Sequence, residues 1–288
     1  LGLEPALGAG LPRRSGEQSE HAKPGGPRRL ASFDDLWASF EGELERVADQ
    51  AHEASLVRDR DAARDPHLRA SLTVADCIER GRGYTQGGAR YNFCNWDAIG
   101  LANAADSLMA IKRLVFDEKK RTLDEFRAAL LSNWDGHEAL RRQVATRVPR
   151  FGNDQPDVDA LATRIIERLD AALKRHTPFR GGCYILGTTA GGENMHIEFG
   201  RVTDATPDGR RCGEPIADSM GAAQGRDARG VTALLNSVAR LPHRLLPTAS
   251  TLNVKLEPRL LATEQGVAVV ADLIRAHFAA NCRQVSPM

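Results

Sequence analysis

His196 and Glu198 bring an imidazole and a carboxylate into one short segment of the sequence, Asn194–Gly200. Their alternation predicts a strand, in which residues two apart face the same side. An imidazole beside a carboxylate can accept and return protons during a reaction. The same two residues would also serve as a hydrogen-bonded polar pair at the end of a strand, so the residues alone leave both interpretations open.

Two cysteines stand in a C-x-E pattern, Cys77 with Glu79 and Cys212 with Glu214. A thiol beside a carboxylate is the combination that hydrogen abstraction coupled to proton transfer requires. Cys77 falls on a predicted helix, where positions two apart point in different directions. Cys212 follows a predicted exposed turn. We therefore expect neither pair to be catalytic.

The segment Pro207–Gly209 predicts a β-turn, because proline fixes one backbone dihedral and glycine accepts a positive one. Two arginines follow it, Arg210 and Arg211. An arginine can hold a carboxylate through two parallel hydrogen bonds. An ion pair with Glu214 or Asp218 and the binding of a substrate carboxylate are equally open interpretations.

The segment Gly87–Phe93 places two glycines before an arginine, a tyrosine and an asparagine. Glycines allow the backbone to approach a ligand closely, but the spacing matches neither the dinucleotide-binding nor the P-loop pattern. We favour a tight turn over a binding loop, since glycine pairs occur more often in turns.

The composition restricts the classes of function. Lys plus Arg (39) nearly balances Asp plus Glu (38), so no overall charge attracts nucleic acid or an anionic membrane. No apolar run approaches the roughly 20 residues that span a bilayer, and no signal peptide is indicated, so we expect a cytoplasmic protein. The five cysteines form no CxxC pair, which argues against a disulfide framework, a zinc site or an iron-sulfur site.

Apolar residues at helical spacing predict most of the elements that must position these groups. A serine cap at Ser32 and a T-x-x-E capping box at Thr122 predict two helix starts. Helices are predicted at 32–58, 72–79, 101–115, from 122 onwards, at 157–173 and at about 264–280. Short strands are predicted at Cys183–Leu186 and Ser250–Leu256. Helices with intervening buried strands indicate an α/β fold.

Several motifs together carry a family resemblance. They are GGARYNF at 87–93, GLANAADSL at 100–108, FGND at 151–154, RGG at 180–182, TPDGRR at 206–211, GEPIAD at 213–218 and TLNVK at 251–255. In order and spacing this set resembles the pyruvate formate-lyase-like superfamily of glycyl radical enzymes.

The resemblance implies a ten-stranded α/β barrel built from two parallel half-barrels, with the reacting groups on loops inside it. The chain would supply roughly the second half, a partial barrel with surrounding helices. Residues 1–288 would then be part of a single catalytic domain. Within it, the Gly-, Pro- and Arg-rich residues 1–31 would form an irregular surface connection.

Enzymes of this superfamily use a glycine radical to form a thiyl radical on a cysteine. A separate activating enzyme, which uses S-adenosylmethionine and an iron-sulfur cluster, installs the glycine radical. The resemblance implies a radical lyase or dehydratase-type eliminase that acts on a small polar substrate, and a homodimer for the full-length protein. A formate acetyltransferase-like carbon-carbon lyase and a non-catalytic remnant or scaffold are the alternatives.

The resemblance places the catalytic cysteine loop before Leu1, and the C-terminal glycyl radical domain outside this segment, with its radical glycine beyond Met288. We therefore expect no catalytic residue, no directly bound cofactor and no metal in this segment, and no activity from it alone. A half-barrel has open strand edges and exposed apolar surface, so we also expect the isolated segment to aggregate.

The resemblance also implies four substrate-binding residues. The counterpart of Asn194–Gly200 lines the substrate cavity in relatives, which makes His196, Glu198 and Phe199 candidates. Asn253, on the later predicted strand, is the fourth.

Overall fold

The computed structural model describes residues 30–189, 194–248, 250–280, 282 and 284–287, so the predicted surface connection at 1–31 lies almost wholly outside the described residues. The helices are α1 (Phe33–Ala62), α2 (Leu68–Ser71), α3 (Leu101–Ile111), α4 (Leu123–Leu131), α5 (Glu138–Arg147), α6 (Pro156–Lys174), α7 (Met195–Val202), α8 (Val231–Ala239) and α9 (Glu264–Ala279). The strands are β1 (Phe93–Asp97), β2 (Cys183–Gly187), β3 (Leu252–Val254) and β4 (Val285–Pro287).

The strands form two parallel pairs, β1 with β2 and β3 with β4. Helices α1 and α6 pack on each other, and α6 also packs on β2 and α3. The chain therefore has an α/β fold, as predicted. No helix within the described ranges is long and apolar enough to cross a membrane.

Helix α1 begins where predicted. The Ser32 hydroxyl accepts a hydrogen bond from the N–H of Asp35 at 3.1 Å, and the Asp35 carboxylate accepts one from the N–H of Ser32 at 2.9 Å. Such a capping box satisfies two amides that a helix start otherwise leaves unpaired. Trp37 and Phe40 bury one face of the helix, which continues beyond its predicted end to Ala62.

The β1–β2 pair has one covered and one open face. Cys94 pairs in register with Tyr184, and both are buried. On this face, the Tyr184 hydroxyl lies 2.8 Å from Nδ1 of His52 on α1. Asn95 and Asp97 point to the other side of β1 and are exposed.

Helix α3 lies within the hydrophobic core. Its small residues Ala102, Ala105 and Ala110 are fully buried, which allows α6 to pack closely against it. Gly100 precedes the helix with a φ of 86°, a conformation that favours glycine. The predicted stripe is confirmed, and the helix continues into a π-helical turn at Lys112–Asp117.

Most of the other predicted elements are confirmed. A capping box at Thr122 begins α4, α6 covers the stripe predicted at 157–173, and α9 covers the last predicted helix. Strands β2 and β3 fall on the predicted strands.

The helix predicted at 72–79 is wrong. The chain forms successive turns there, and the short helix α2 precedes them. Asp76 adopts a φ of 71°, which a right-handed helix does not accommodate. Its carboxylate instead accepts hydrogen bonds from Arg80 at 2.9 Å and Arg90 at 2.7 Å.

The sequence analysis missed β1, α5, α8 and β4. In α5 the buried residues are Leu140 and Val144, which are too few to form a recognisable apolar stripe. In β1 the polar residues Asn95 and Asp97 interrupt the apolar pattern of a buried strand.

Candidate active site

The segment that carries His196 and Glu198 is helix α7, so the predicted strand is wrong. Asn194 precedes the helix with a φ of 58°, and the Glu198 carboxylate accepts a hydrogen bond from Arg201 at 2.6 Å. Glu198 lies in the first turn of the helix and Arg201 in the last, the arrangement of charges that the helix dipole favours. Residues two apart on a helix are separated by about 200° around its axis. The structure therefore does not assemble His196 and Glu198 as a proton-transferring pair.

Helix α7 is held against the chain at residues 214–216. A Cβ atom added to Gly200 would lie 2.4 Å from the carbonyl oxygen of Glu214, so only glycine permits this approach. The His196 carbonyl oxygen accepts a hydrogen bond from the N–H of Ile216 at 3.2 Å. Phe199 remains 40% exposed.

An extended segment, Ile216–Met220, lies between α7 and β3, and we call it the central segment. The Asp218 carboxylate accepts a hydrogen bond from Nδ2 of Asn253 at 2.7 Å. The last N–H of the segment lies 3.5 Å from the carbonyl oxygen of Thr251. The structure thus brings two of the four predicted substrate residues, His196 and Asn253, to the same segment.

The central segment also contacts the carboxyl ends of β1 and β2. The Ala217 carbonyl oxygen accepts a hydrogen bond at 3.2 Å from the N–H of Gly100, which follows β1. The Ser219 hydroxyl lies 3.4 Å from that of Thr189, which follows β2. Parallel α/β folds bind ligands at the carboxyl ends of their strands. This edge is therefore where a ligand is expected.

Five residues with hydroxyl side chains lie in the loop segments that meet here, and we call them the hydroxyl edge: Thr188, Thr189, Ser219, Ser250 and Thr251. The N–H of Thr251 donates to the Thr189 hydroxyl at 3.4 Å, which brings the two loops together. Thr188 and Ser250 are 0% exposed, and their hydroxyls have no hydrogen-bond partner among the described residues. Burial of an unpaired hydroxyl costs about 1–3 kcal/mol. These two hydroxyls therefore indicate a position for a polar ligand.

A second polar group lies within the core, and we call it the Asp208 network: Asn103, Ser107, Thr206, Asp208 and Arg226. The Asp208 carboxylate accepts hydrogen bonds from Asn103 Nδ2 at 2.7 Å, from Arg226 Nη1 at 2.8 Å and from the Thr206 hydroxyl. Its N–H donates to the Ser107 hydroxyl at 3.2 Å. The network joins motifs that are far apart in the sequence.

Asp106 lies beside this network. Its Oδ1 accepts a hydrogen bond from the N–H of Phe151 at 2.8 Å, and its Oδ2 has no hydrogen-bond partner in the part of the chain that the structure describes. Burial, opposed by that hydrogen bond and reinforced by the charge of Asp208, raises the pKa of Asp106 to about 7. Asp106 thus retains its proton well above the usual range of a carboxyl group.

The turn at Pro207–Gly209 is confirmed, with a φ of 91° at Gly209, but it is buried and not exposed as predicted. Arg210 is 2% exposed and donates to the carbonyl oxygens of Arg211 at 2.9 Å and Glu214 at 2.7 Å. The Arg211 guanidinium pairs with Asp135 at 2.6 Å. Arg210 therefore binds the predicted partner Glu214 through its backbone carbonyl and not through its carboxylate, whereas Arg211 pairs with Asp135, which the sequence analysis did not name.

The two C-x-E patterns lie in different surroundings. Cys77 is buried and Glu79 is exposed, and both lie in turns where a helix was predicted. Cys212 is exposed, with its Sγ 3.8 Å from the Asp204 carboxylate, while Glu214 accepts the N–H of Arg211. Neither thiol is hydrogen-bonded to the carboxylate of its own pattern.

The glycine pair in Gly87–Phe93 forms the favoured tight turn. Gly87 has a φ of 83°, and a Cβ atom added to Gly88 would lie 1.9 Å from the carbonyl oxygen of Arg82. Across the described ranges, no three His, Cys, Asp or Glu side chains converge as metal ligands.

The chain has a parallel strand pair with helices on one face and polar side chains at its carboxyl end. These features are typical of α/β proteins that bind ligands at the carboxyl ends of their strands. The chain belongs to the pyruvate formate lyase-like family, whose model matches residues 2–198. Residues 216–286 match the family model described as glycine radical. The resemblance is confirmed, but the glycine radical model begins at Ile216, whereas we had placed that domain outside the chain.

Two relatives are identical to the chain at about a third of the aligned positions. A trans-4-hydroxy-L-proline dehydratase from Clostridioides difficile is 34% identical over 88% of this chain and 32% of its own length. A (2S)-3-sulfopropanediol dehydratase from Klebsiella oxytoca is 33% identical over 88% of this chain and 31% of its own length. The chain therefore spans about a third of the length of these relatives.

Solved structures of glycyl radical enzymes and dehydratases also match almost the whole chain, which again covers about a third of each. The glycerol-bound form of the B12-independent glycerol dehydratase from Clostridium butyricum superposes with a TM-score of 0.90 at 30% identity, covering 99% of this chain and 36% of that chain. A glycyl radical enzyme from Archaeoglobus fulgidus also gives 0.90 at 30% identity, with the same coverage of 99% and 36%.

Proposed function

We propose that this chain forms about a third of a glycyl radical enzyme, a dehydratase-type eliminase or lyase that binds a small polar substrate at the hydroxyl edge. One observation carries the proposal. Two fully buried hydroxyls have no partner among the described residues: that of Thr188, which follows the carboxyl end of β2, and that of Ser250, which lies just before β3. The relatives named for hydroxyproline and sulfopropanediol, and the glycerol-bound dehydratase, support a hydroxylated substrate.

Asn253 is the proposed partner for a substrate hydroxyl. A carboxylate can only accept hydrogen bonds, so the Asn253 amide must turn its NH₂ group towards Asp218. Its Oδ1 is then directed elsewhere and remains able to accept. We assign this acceptor to a hydroxyl group of the substrate.

His196 and Phe199 are the proposed flanks of the site. Their helix is hydrogen-bonded to Ile216, two residues before Asp218, which accepts the Asn253 amide. Glu198, which pairs with Arg201, is proposed to lie at the rim of the substrate site.

The β1–β2 pair is the proposed beginning of a partial barrel, roughly the second half of a ten-stranded one. Parallel strands are normally covered on both faces, whereas β1 is open at Asn95 and Asp97. One continuous core from Leu36 to Val254 supports a single catalytic domain that includes residues 1–288, with 1–31 as a surface connection.

In this proposal a glycine radical supplies hydrogen abstraction, through a cysteine that the resemblance places before Leu1. The residues described here hold the substrate and shield it from water. A separate activating enzyme with S-adenosylmethionine and an iron-sulfur cluster, a homodimeric full-length protein and a cytoplasmic location complete the proposal.

The test is anaerobic reconstitution of the full-length protein with its activating enzyme. We expect a glycyl radical signal in electron paramagnetic resonance, and turnover of at least one compound in a panel of small diols, hydroxylated amino acids and hydroxylated sulfonates. A full-length sequence without a cysteine loop or a radical glycine, or a radical-bearing protein that converts no member of the panel, would contradict it.

A further inference from the structure

Asn103 connects the buried Asp208 network to the proposed substrate edge. Its Nδ2 donates to the Asp208 carboxylate at 2.7 Å, and its Oδ1 accepts the N–H of Ala217 at 2.7 Å. We propose that Asn103 is a positioning residue, which sets the place of the central segment and so of the groups that hold the substrate. The expected effect of Asn103 on KM rests on the proposed function, whereas its effect on the position of the central segment does not.

The orientation of the Asn103 amide is determined by its partners. Asp208 offers only acceptor atoms, so the NH₂ group must face it, and the amide oxygen must face Ala217. Asn103 is 5% exposed. Water therefore offers little competition for either hydrogen bond.

Asp208 is a rigid reference point for this contact. Besides Asn103, its carboxylate is held by Arg226 at 2.8 Å and by the N–H of Arg210 at 3.2 Å. Its own N–H is fixed by Ser107. Rotation of Asp208 would break several hydrogen bonds at once, so Asn103 can transmit a defined position.

Ala217 lies between the two contacts that matter for the proposed site. Its neighbour Ile216 donates to the carbonyl oxygen of His196, and its other neighbour, Asp218, accepts the amide of Asn253. A displacement at Ala217 therefore moves both substrate contacts together. Such a shift weakens contacts that are made with the bound substrate as well as in the transition state, and so raises KM.

Ser107 provides a matched control. It lies one turn after Asn103 on α3, is 1% exposed and also contacts Asp208, but it makes no hydrogen bond to the central segment. Ser107→Ala and Asn103→Ala both weaken the network, and only the second releases Ala217.

The first test is hydrogen exchange of the full-length protein. In Asn103→Ala we expect the amide of Ala217 to exchange about tenfold faster or more, because it loses its acceptor. In Ser107→Ala we expect it to exchange as in the wild type. Equal protection of Ala217 in wild type and Asn103→Ala would overturn the proposal whether or not the protein is an active enzyme.

Asn103→Asp serves if Asn103→Ala does not fold. It retains an acceptor for Ala217 and can share a proton with Asp208, so Ala217 should remain protected. Fast exchange of Ala217 in Asn103→Asp would contradict the proposed link.

The second test is steady-state kinetics of the activated enzyme, with rates expressed per radical. We expect Asn103→Ala to raise KM about tenfold while kcat stays within about threefold, since the substrate contacts shift. Ser107→Ala should lower the melting temperature with an unchanged KM. A lower melting temperature without a change in KM for Asn103→Ala would reduce Asn103 to a purely structural residue.

Discussion

The Asp208 network and the hydroxyl edge contact the central segment at different residues, Ala217 and Ser219, and they differ in how their polar atoms are satisfied. Asp208 is fully buried, and its carboxylate accepts hydrogen bonds from three side chains and one backbone amide. Thr188 and Ser250 are equally buried, and their hydroxyls have no partner among the described residues.

This difference indicates that the Asp208 network stabilises the fold, whereas the hydroxyl edge is able to bind a ligand. A buried charge with a complete set of partners is stable where it is and has no capacity left for a ligand. A buried hydroxyl without a partner is costly, and it can recover that cost by binding one. The turn at Pro207–Gly209, which suggested ligand binding in the sequence, belongs to the first kind.

The largest expected effect is at the centre of the network. Asp208→Ala removes the fully buried carboxylate that pairs with the partly buried Arg226 guanidinium and leaves Asn103 and Thr206 without their acceptor, which we expect to cost about 3 kcal/mol. Urea unfolding of the full-length protein measures this loss. Asp227→Ala is the control, because it removes an exposed carboxylate from the residue that follows Arg226. It should cost about 0.5 kcal/mol or less. Similar losses for both variants would show that the network does not stabilise the fold.

The next effect depends on pH. In the folded protein, burial raises the pKa of Asp106 from its usual 3.8 to about 7, so its contribution to stability is fully present below pH 3.8 and is lost as pH rises through 7. Asp106→Asn resembles the protonated form. We expect the stability of the variant relative to wild type to increase by up to about 4 kcal/mol from pH 4 to pH 8, whereas the cost of its buried N–H is the same at both pH values.

Melting temperatures measured across this pH range decide the Asp106 prediction. A constant difference between Asp106→Asn and wild type would mean that Asp106 titrates as an ordinary carboxyl group.

A small effect is expected on α7. Glu198 and Arg201 form an exposed ion pair, which contributes about 0.5 kcal/mol or less. Glu198→Gln should therefore change stability little, and change KM less than twofold, because the carboxylate lies at the rim of the proposed site. A loss of kcat by two orders of magnitude or more would show that Glu198 transfers protons, and would contradict its assignment to the periphery of the substrate site.

Much of the fold was predictable because local signals are strong. The capping boxes at Ser32 and Thr122 and the apolar stripes of α3, α6 and α9 each depend on residues close in sequence. Helix α7 was predicted wrongly because alternating polar and apolar residues over a few positions suit either element. Asparagine tolerates the left-handed backbone that Asn194 adopts before the helix, but this residue type alone does not distinguish a helix start from a turn.

The candidate site was predicted only in part, for a different reason. Asn253 and His196 came from the resemblance, and the structure places both at the central segment. Thr188 and Ser250 were missed, since an unpartnered hydroxyl is defined by burial and by distant neighbours and not by spacing. For the same reason, the link between Asn103 and Asp208 could not be found from the sequence.

The central distinction is tested most directly by one substitution made in both regions, Thr188→Val and Thr206→Val, in the full-length activated enzyme. Both threonines are buried, but the Thr206 hydroxyl donates to Asp208 and the Thr188 hydroxyl has no partner among the described residues. We expect Thr206→Val to lower the melting temperature and leave KM unchanged, and Thr188→Val to melt like the wild type and raise KM about tenfold. A destabilised Thr188→Val with a normal KM would contradict the account.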